Sequence, residues 1–307
     1  MSENIETKLL KIPVINLLVK LTKKIKIPGL TGMSLYDILE LYIIGIVKGA
    51  LTSRAGGIAF SFLMAIFPFL IFILTLIQYI PIDGFQEDFF YLTEQWLPPT
   101  TSSTVNNQVI DYITNHNYGG LMSMYFLLSI FLMTNGINAI FGGFEYSYHV
   151  EVGRNVIRQY LVALGVSIVL ALYLLLTVLV AFYFEVGIEK LNDSGLVNDD
   201  VFWIVLGQKV FFIAMVFISV STLFYFGTKE GKHYSFFSAG SIMTTLLILL
   251  LIYLFGIYVV RYSKYNELYG SIGTLLIFML FIWLNSIILL LGFELNASLY
   301  QIKKRIN

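Results

Sequence analysis

The sequence predicts an all-α integral membrane protein of six transmembrane helices. Amphipathic interfacial helices precede the spans, and a short helical outer cap lies between spans 1 and 2. Three observations carry this fold class. Apolar residues make up 58% of the 307 residues and charged ones only 12%, about half the charged share of a soluble domain. Six segments can each cross a hydrocarbon core about 30 Å thick, a distance that takes about 20 mainly apolar residues of helix. The charges lie almost wholly between those segments, basic in one set of connections and acidic in the other.

The elements follow in order. Residues 1–56 form a cytoplasmic or interfacial amphipathic segment. In it Val14, Leu17, Leu18, Leu21 and Ile25 share a helical face opposite Lys20, Lys23 and Lys24, a pattern suited to an anionic inner leaflet. A second stripe, Leu35, Ile38, Leu39, Tyr42 and Ile46, lies along the inner surface or packs on the bundle, and the chain is expected to turn at Gly56 and Gly57. The membrane domain spans 57–299, with helices at 57–80, 119–141, 159–184, 202–226, 236–260 and 271–299. Residues 81–118 are too long for a plain connection. Phe85, Phe89, Leu92 and Trp96, then Val105, Val109 and Ile113 around Pro98 and Pro99, mark two short amphipathic helices that cap the outer face. Residues 300–307 are a basic tail.

Charge sets the orientation. Fifteen of the 19 Lys and Arg residues lie before span 1, in the 142–158 and 227–235 loops and in the tail, and the other loops are mainly acidic. The positive-inside rule then puts both termini in the cytoplasm. Equal totals of 19 basic and 19 acidic residues leave no global positive field, so nucleic acid is excluded as a main partner. Membrane lipids are the expected partners, and the sequence names no protein partner.

Polar residues inside apolar spans are the candidate site, because they are expensive there. Asn135 and Asn138 are three apart near the inner end of span 2, Glu294 and Asn296 lie near the inner end of span 6, and Arg54 precedes span 1 on the same side. The topology gathers the five in the cytoplasmic leaflet. Two readings stand: a polar pocket for a lipid or solute, or a structural cluster in which Arg54 pairs with Glu294 and the asparagines bond across helices. Pro68 interrupts span 1 near mid-bilayer, where its kink either opens a gap or bends the helix around its neighbours. Gly270 and Gly273, with Ser238, Ala239, Gly240 and Ser241, are small enough for close helix packing. Lys209, on the outer side of span 4, either snorkels to the headgroups or faces a vestibule. The three histidines, His116, His149 and His233, fall on opposite sides in no metal-ligand spacing, and the chain has no cysteine. No catalytic set, metal site or cofactor is expected, and the protein is not expected to be an enzyme.

The stretches "GGIAFSFLMAIFPFLIFIL", "NGINAIFGGFEY", "YFGTKEGKHYSFFSAGSIM" and "LYGSIGTLLIFMLFIWLNSIILLLGFELNASL" resemble, in order from about residue 45 to 300, the YihY/BrkB family. The resemblance implies a six-span bacterial inner-membrane protein. Members once carried a mistaken ribonuclease BN label, and some have been suggested as transporters, including of lipids. The loop "NAIFGGFEYSYHVEVGR" departs from the family's pattern, which is more basic there and often holds a tryptophan. The expected function is transport or handling of a lipid or other amphipathic solute. The alternative is a non-transporting structural or accessory subunit that organises partners or lipid.

Overall fold

The computed structural model describes residues 49–77, 121–150, 153–193, 200–262 and 271–306, with positions 36, 40, 42–44 and 46 before them. Six long helices run through these residues: α1 Leu51–Ile77, α2 Leu121–Glu145, α3 Val156–Asp193, α4 Asp200–Gly227, α5 Ala239–Tyr262 and α6 Ser271–Ile306. A single 3-10 turn, Glu230–His233, joins α4 to α5. Five of the helices are long and apolar enough to cross a membrane, and the described side chains of α1 add a shorter apolar stretch, Leu51–Ile66. The outer cap at 81–118, the Lys20, Lys23 and Lys24 face, and Gly270 all lie outside the described residues.

Each helix packs on the next in sequence, and α6 returns to pack on α1, so the six close a ring. Antiparallel neighbours follow from the short connections at one end, and the ring follows from the final return. We call the end where α1 begins and α6 finishes the basic end. It carries Arg54, Arg154, Arg158, Lys229, Lys232, Lys303 and Lys304.

Two boundaries differ from the sequence expectation. The turn before span 1 falls at Gly49 and Ala50 rather than at Gly56 and Gly57, which lie inside α1. Ala50 takes a left-handed φ of 47°, and its carbonyl accepts from the amides of both Ser53 and Arg54. The earlier turn puts Arg54 on the first turn of a helix, where its side chain can reach across the bundle. Second, α3 and α6 outrun their apolar windows. The 36 residues of α6 rise about 54 Å, so α6 projects beyond the bilayer and takes up most of the expected tail. Pro68 lies within the continuous helix α1.

Several hydroxyls along the spans bond back to their own helices, because lipid offers no partner. Thr134 donates to the Ile130 carbonyl, Thr222 to Ile218, Thr245 to Ser241 and Ser286 to Ile282, all at 2.7–2.9 Å.

Burial is uneven along the ring. At the basic end Phe141, Phe144, Phe224, Leu290 and Phe293 are almost wholly buried. Phe144 stacks on Phe293 at 4.2 Å between centroids, and Phe224 meets both edge-on. These three side chains come from α2, α6 and α4, so they plug the ring's centre. Toward the far end the described side chains of three helices are half-buried or exposed. Among the described residues, α3 beyond Ser167, α4 before Met215 and α5 beyond Thr245 bury none.

Candidate functional site

The polar residues at the basic end bind helix termini. A helix leaves its first amides and last carbonyls unpaired, and in a membrane those groups need protein partners. Arg54 supplies one. Its Nη1 donates to the carbonyl of Gly143, in the last turn of α2, at 2.8 Å. Its Nη2 donates to Glu294 Oε1, also at 2.8 Å. The second carboxylate oxygen accepts from Ser147 Oγ at 2.8 Å. Glu294 is fully buried and the Arg54 side chain nearly so. The four groups tie α1, the end of α2, the following loop and α6 into one clasp.

Gly143 lets α2 pack closely on α1 and α6 at the centre of this clasp. A Cβ on Gly143 would come within 2.9 Å of Ile58 Cδ1 and 3.3 Å of Leu290 Cδ2, so a side chain there would require those two methyl ends to shift. The loop beyond is also held. Ser147 Oγ accepts from the His149 amide, and the His149 carbonyl accepts from Gln301 Nε2 at 2.9 Å. Tyr42, from the segment before α1, feels the same carboxylate: burial first, then the Glu294 charge, push its phenol up to about 12.

Asn296 holds a different terminus. Its Oδ1 accepts from the Gly240 amide at 2.8 Å and its Nδ2 donates to Ser238 Oγ at 2.8 Å. Ser238 in turn accepts from the Ser241 amide, as an N-cap of α5. One residue of α6 thus closes the first turn of α5. The approach is backbone to backbone: a Cβ on Gly240 would strike the Gly292 carbonyl, and one on Gly292 would strike Thr244 Oγ1.

Arg154 performs the same service for α4. Its Nη1 donates to the Phe226 carbonyl at 2.5 Å and its Nη2 to that of Thr228 at 2.6 Å. A cation at a helix C-terminus also meets the negative end of the dipole. The Arg154 amide donates to Glu145 Oε1 at 3.0 Å. Burial, and the neighbouring Arg158 charge, lower the Arg154 guanidinium below the usual arginine range, and Glu145 opposes them.

The five residues predicted as one cluster therefore divide. Arg54 and Glu294 are bonded to each other, and Asn296 sits in the α5 cap. Asn138 lies 3.2 Å from the side-chain amide of Gln159, whose nitrogen is assigned to the side facing Glu145 Oε2, at 3.0 Å, because only that assignment satisfies both ends of the amide. Asn135 is half-buried and makes no hydrogen bond to a described residue. Gly273 is buried in α6 and Lys209 is exposed on α4. Among the described residues no three His, Cys, Asp or Glu side chains are placed to hold a metal.

Sequence reasoning missed Ser147 and Gly143, and it placed Tyr42 only in an amphipathic stripe. It counted Arg154 only as a loop charge. A glycine pair at the end of a span, "FGGFE", was the one available signal, since close approach is a common reason for glycine in a membrane helix.

Comparison with known proteins adds the following. Residues 45–306 match the family model described as virulence factor BrkB. The chain is 30% identical over 258 residues to the putative ribonuclease-like protein YfkH of Bacillus subtilis (strain 168), covering 82% of this chain and 91% of that one. It is 25% identical over 246 residues to a UPF0761 membrane protein of Coxiella burnetii (strain Dugway 5J108-111), covering 78% and 84%. No solved structure matches the chain.

Proposed function

The chain belongs to the virulence factor BrkB family of membrane proteins, and from that premise we propose that it handles or transports a lipid or other amphipathic solute in a bacterial inner membrane, with both termini cytoplasmic. One observation carries the reading. The ring is sealed at the basic end by the Arg54, Glu294 and Ser147 clasp and by the Phe144, Phe224 and Phe293 plug, while among the described residues α3, α4 and α5 bury nothing over their far halves. A ring closed at one end, with the described far halves of three helices only half-buried or exposed, has the form of a vessel caught in one of two states of access. The fully buried ion pair lies within the seal, so its role in this reading is to hold the closed end shut. The ribonuclease-like wording attached to one relative lends this chain no nuclease chemistry, as the clasp offers neither a free base nor a nucleophile.

Reconstitution tests the proposal. Vesicles of phosphatidylethanolamine and phosphatidylglycerol would contain a tail-labelled fluorescent lipid that can be quenched from outside, with and without a proton gradient and a membrane potential. The expected result is protein-dependent transbilayer movement, made faster by Phe144→Ala, which shortens the plug. Rates equal to those of empty vesicles under every condition would overturn the reading in favour of a non-transporting accessory subunit.

A further inference from the structure

A cleft of about 580 Å³ opens between α3 and α4 at the basic end, outside the clasp. Its volume lies within the range of ordinary ligand sites. Its walls separate by chemistry. On α3, Val162, Val166 and Val169 follow Arg158 at helical spacing and line the floor, and Phe226 lies opposite on α4. At the mouth stand four cations: Arg154, Arg158, Lys229 and Lys232.

The four are not equivalent. The Arg154 guanidinium is already committed to the carbonyls at the end of α4. Arg158, Lys229 and Lys232 are exposed and form no ion pair with a described residue. Arg158 lies in the first turn of α3, whose N-terminal amides add positive potential, and Asn155 caps that turn through the Ile157 amide. Glu145 faces Arg154, and Glu230 shares the turn that holds Lys229 and Lys232. Three unpaired cations above an apolar floor match an amphiphile with an anionic head and a hydrocarbon tail.

We propose that this cleft binds an anionic glycerophospholipid of the adjoining leaflet, its phosphate among Arg158, Lys229 and Lys232 and one acyl chain along Val162, Val166 and Phe226. The site stands on the cleft alone and does not depend on movement of lipid through the ring. Charge complementarity selects the occupant: juxtamembrane basic groups attract anionic headgroups, and basic pockets between spans hold them. Gly165 keeps the floor open. It lines the cleft, and a Cβ there would have no heavy atom within 4 Å, so a larger side chain fits by filling the acyl path.

Equilibrium binding to the full chain in detergent tests the site, with phosphatidylglycerol, phosphatidylcholine and inorganic phosphate as probes. Phosphatidylglycerol should bind more tightly than phosphatidylcholine. Lys229→Gln with Lys232→Gln, both at exposed positions, should weaken phosphatidylglycerol by about thirty-fold, at the usual strength of two juxtamembrane cations, and phosphatidylcholine, whose choline offsets the charge of its phosphate, by much less. Gly165→Phe should weaken both lipids and spare phosphate. An undiminished phosphatidylglycerol preference in the double variant would overturn the proposal. So would equal affinity for inorganic phosphate, which would make the cleft a simple anion site.

Discussion

Glu294 shows how little a polar residue's identity reveals until its partners are known. Both carboxylate oxygens are occupied, one by Arg54 and one by Ser147, and the side chain has no exposure. Removing one partner of a buried pair leaves the other charge uncompensated, at a cost of about 3–5 kcal/mol. Glu294→Ala should therefore lower stability in detergent by that order, read as the shift in a denaturant or thermal unfolding curve. The exchanged pair Arg54→Glu, Glu294→Arg should not restore it. A carboxylate at 54 would face the Gly143 carbonyl with no proton to donate, and an arginine at 294 would offer Ser147 Oγ no acceptor. Recovery of wild-type stability in the exchanged protein would mean that charge attraction alone, and not the hydrogen-bond directions, holds the clasp.

At the level of the helix, the common theme is the treatment of ends. α2, α4 and α5 each have a terminus satisfied by a side chain from elsewhere: Arg54, Arg154 and Asn296. The middles of the helices were legible in the sequence, since lipid imposes length and apolarity on every span. The expected 202–226 and 236–260 compare with α4 at Asp200–Gly227 and α5 at Ala239–Tyr262. The ends were not legible, because a cap is decided by which residue of another helix arrives there. Asn296 could be placed at the inner end of span 6, but nothing local to it names the Gly240 amide as its partner. The crossing of α5 and α6 makes a prediction of its own. Gly292→Ala should destabilise by about 1–3 kcal/mol, as overpacking does, because its Cβ would fall on Thr244 Oγ1. The paired change Gly292→Ala, Thr244→Gly should recover part of the loss in the same unfolding measurement. Failure to do so would place the strain on the Gly240 backbone instead.

For the whole molecule, the alternation of six helices puts Tyr146 and Phe237 at one end and Phe202 at the other, all three well exposed. The chain has no cysteine, so single replacements give a clean readout. Tyr146→Cys and Phe237→Cys should react with a membrane-impermeant maleimide from one side of the membrane and Phe202→Cys from the other. Labelling of 146 and 237 from opposite sides would break the six-span arrangement. Charge counting predicted that the basic loops share a side, and the ring joins those loops directly through Arg154 and the carbonyls after α4. Composition and periodicity could not reveal the ring itself, because α6 meets α1 through partners far apart in sequence, among them Arg54 and Glu294, 240 residues apart. That separation bears on how the protein is made. Arg54 is made five helices ahead of Glu294, so until α6 is in place the guanidinium lacks its carboxylate. The clasp can close only once α6 has been made, and a chain cut short before α6 leaves the Arg54 cation without its carboxylate.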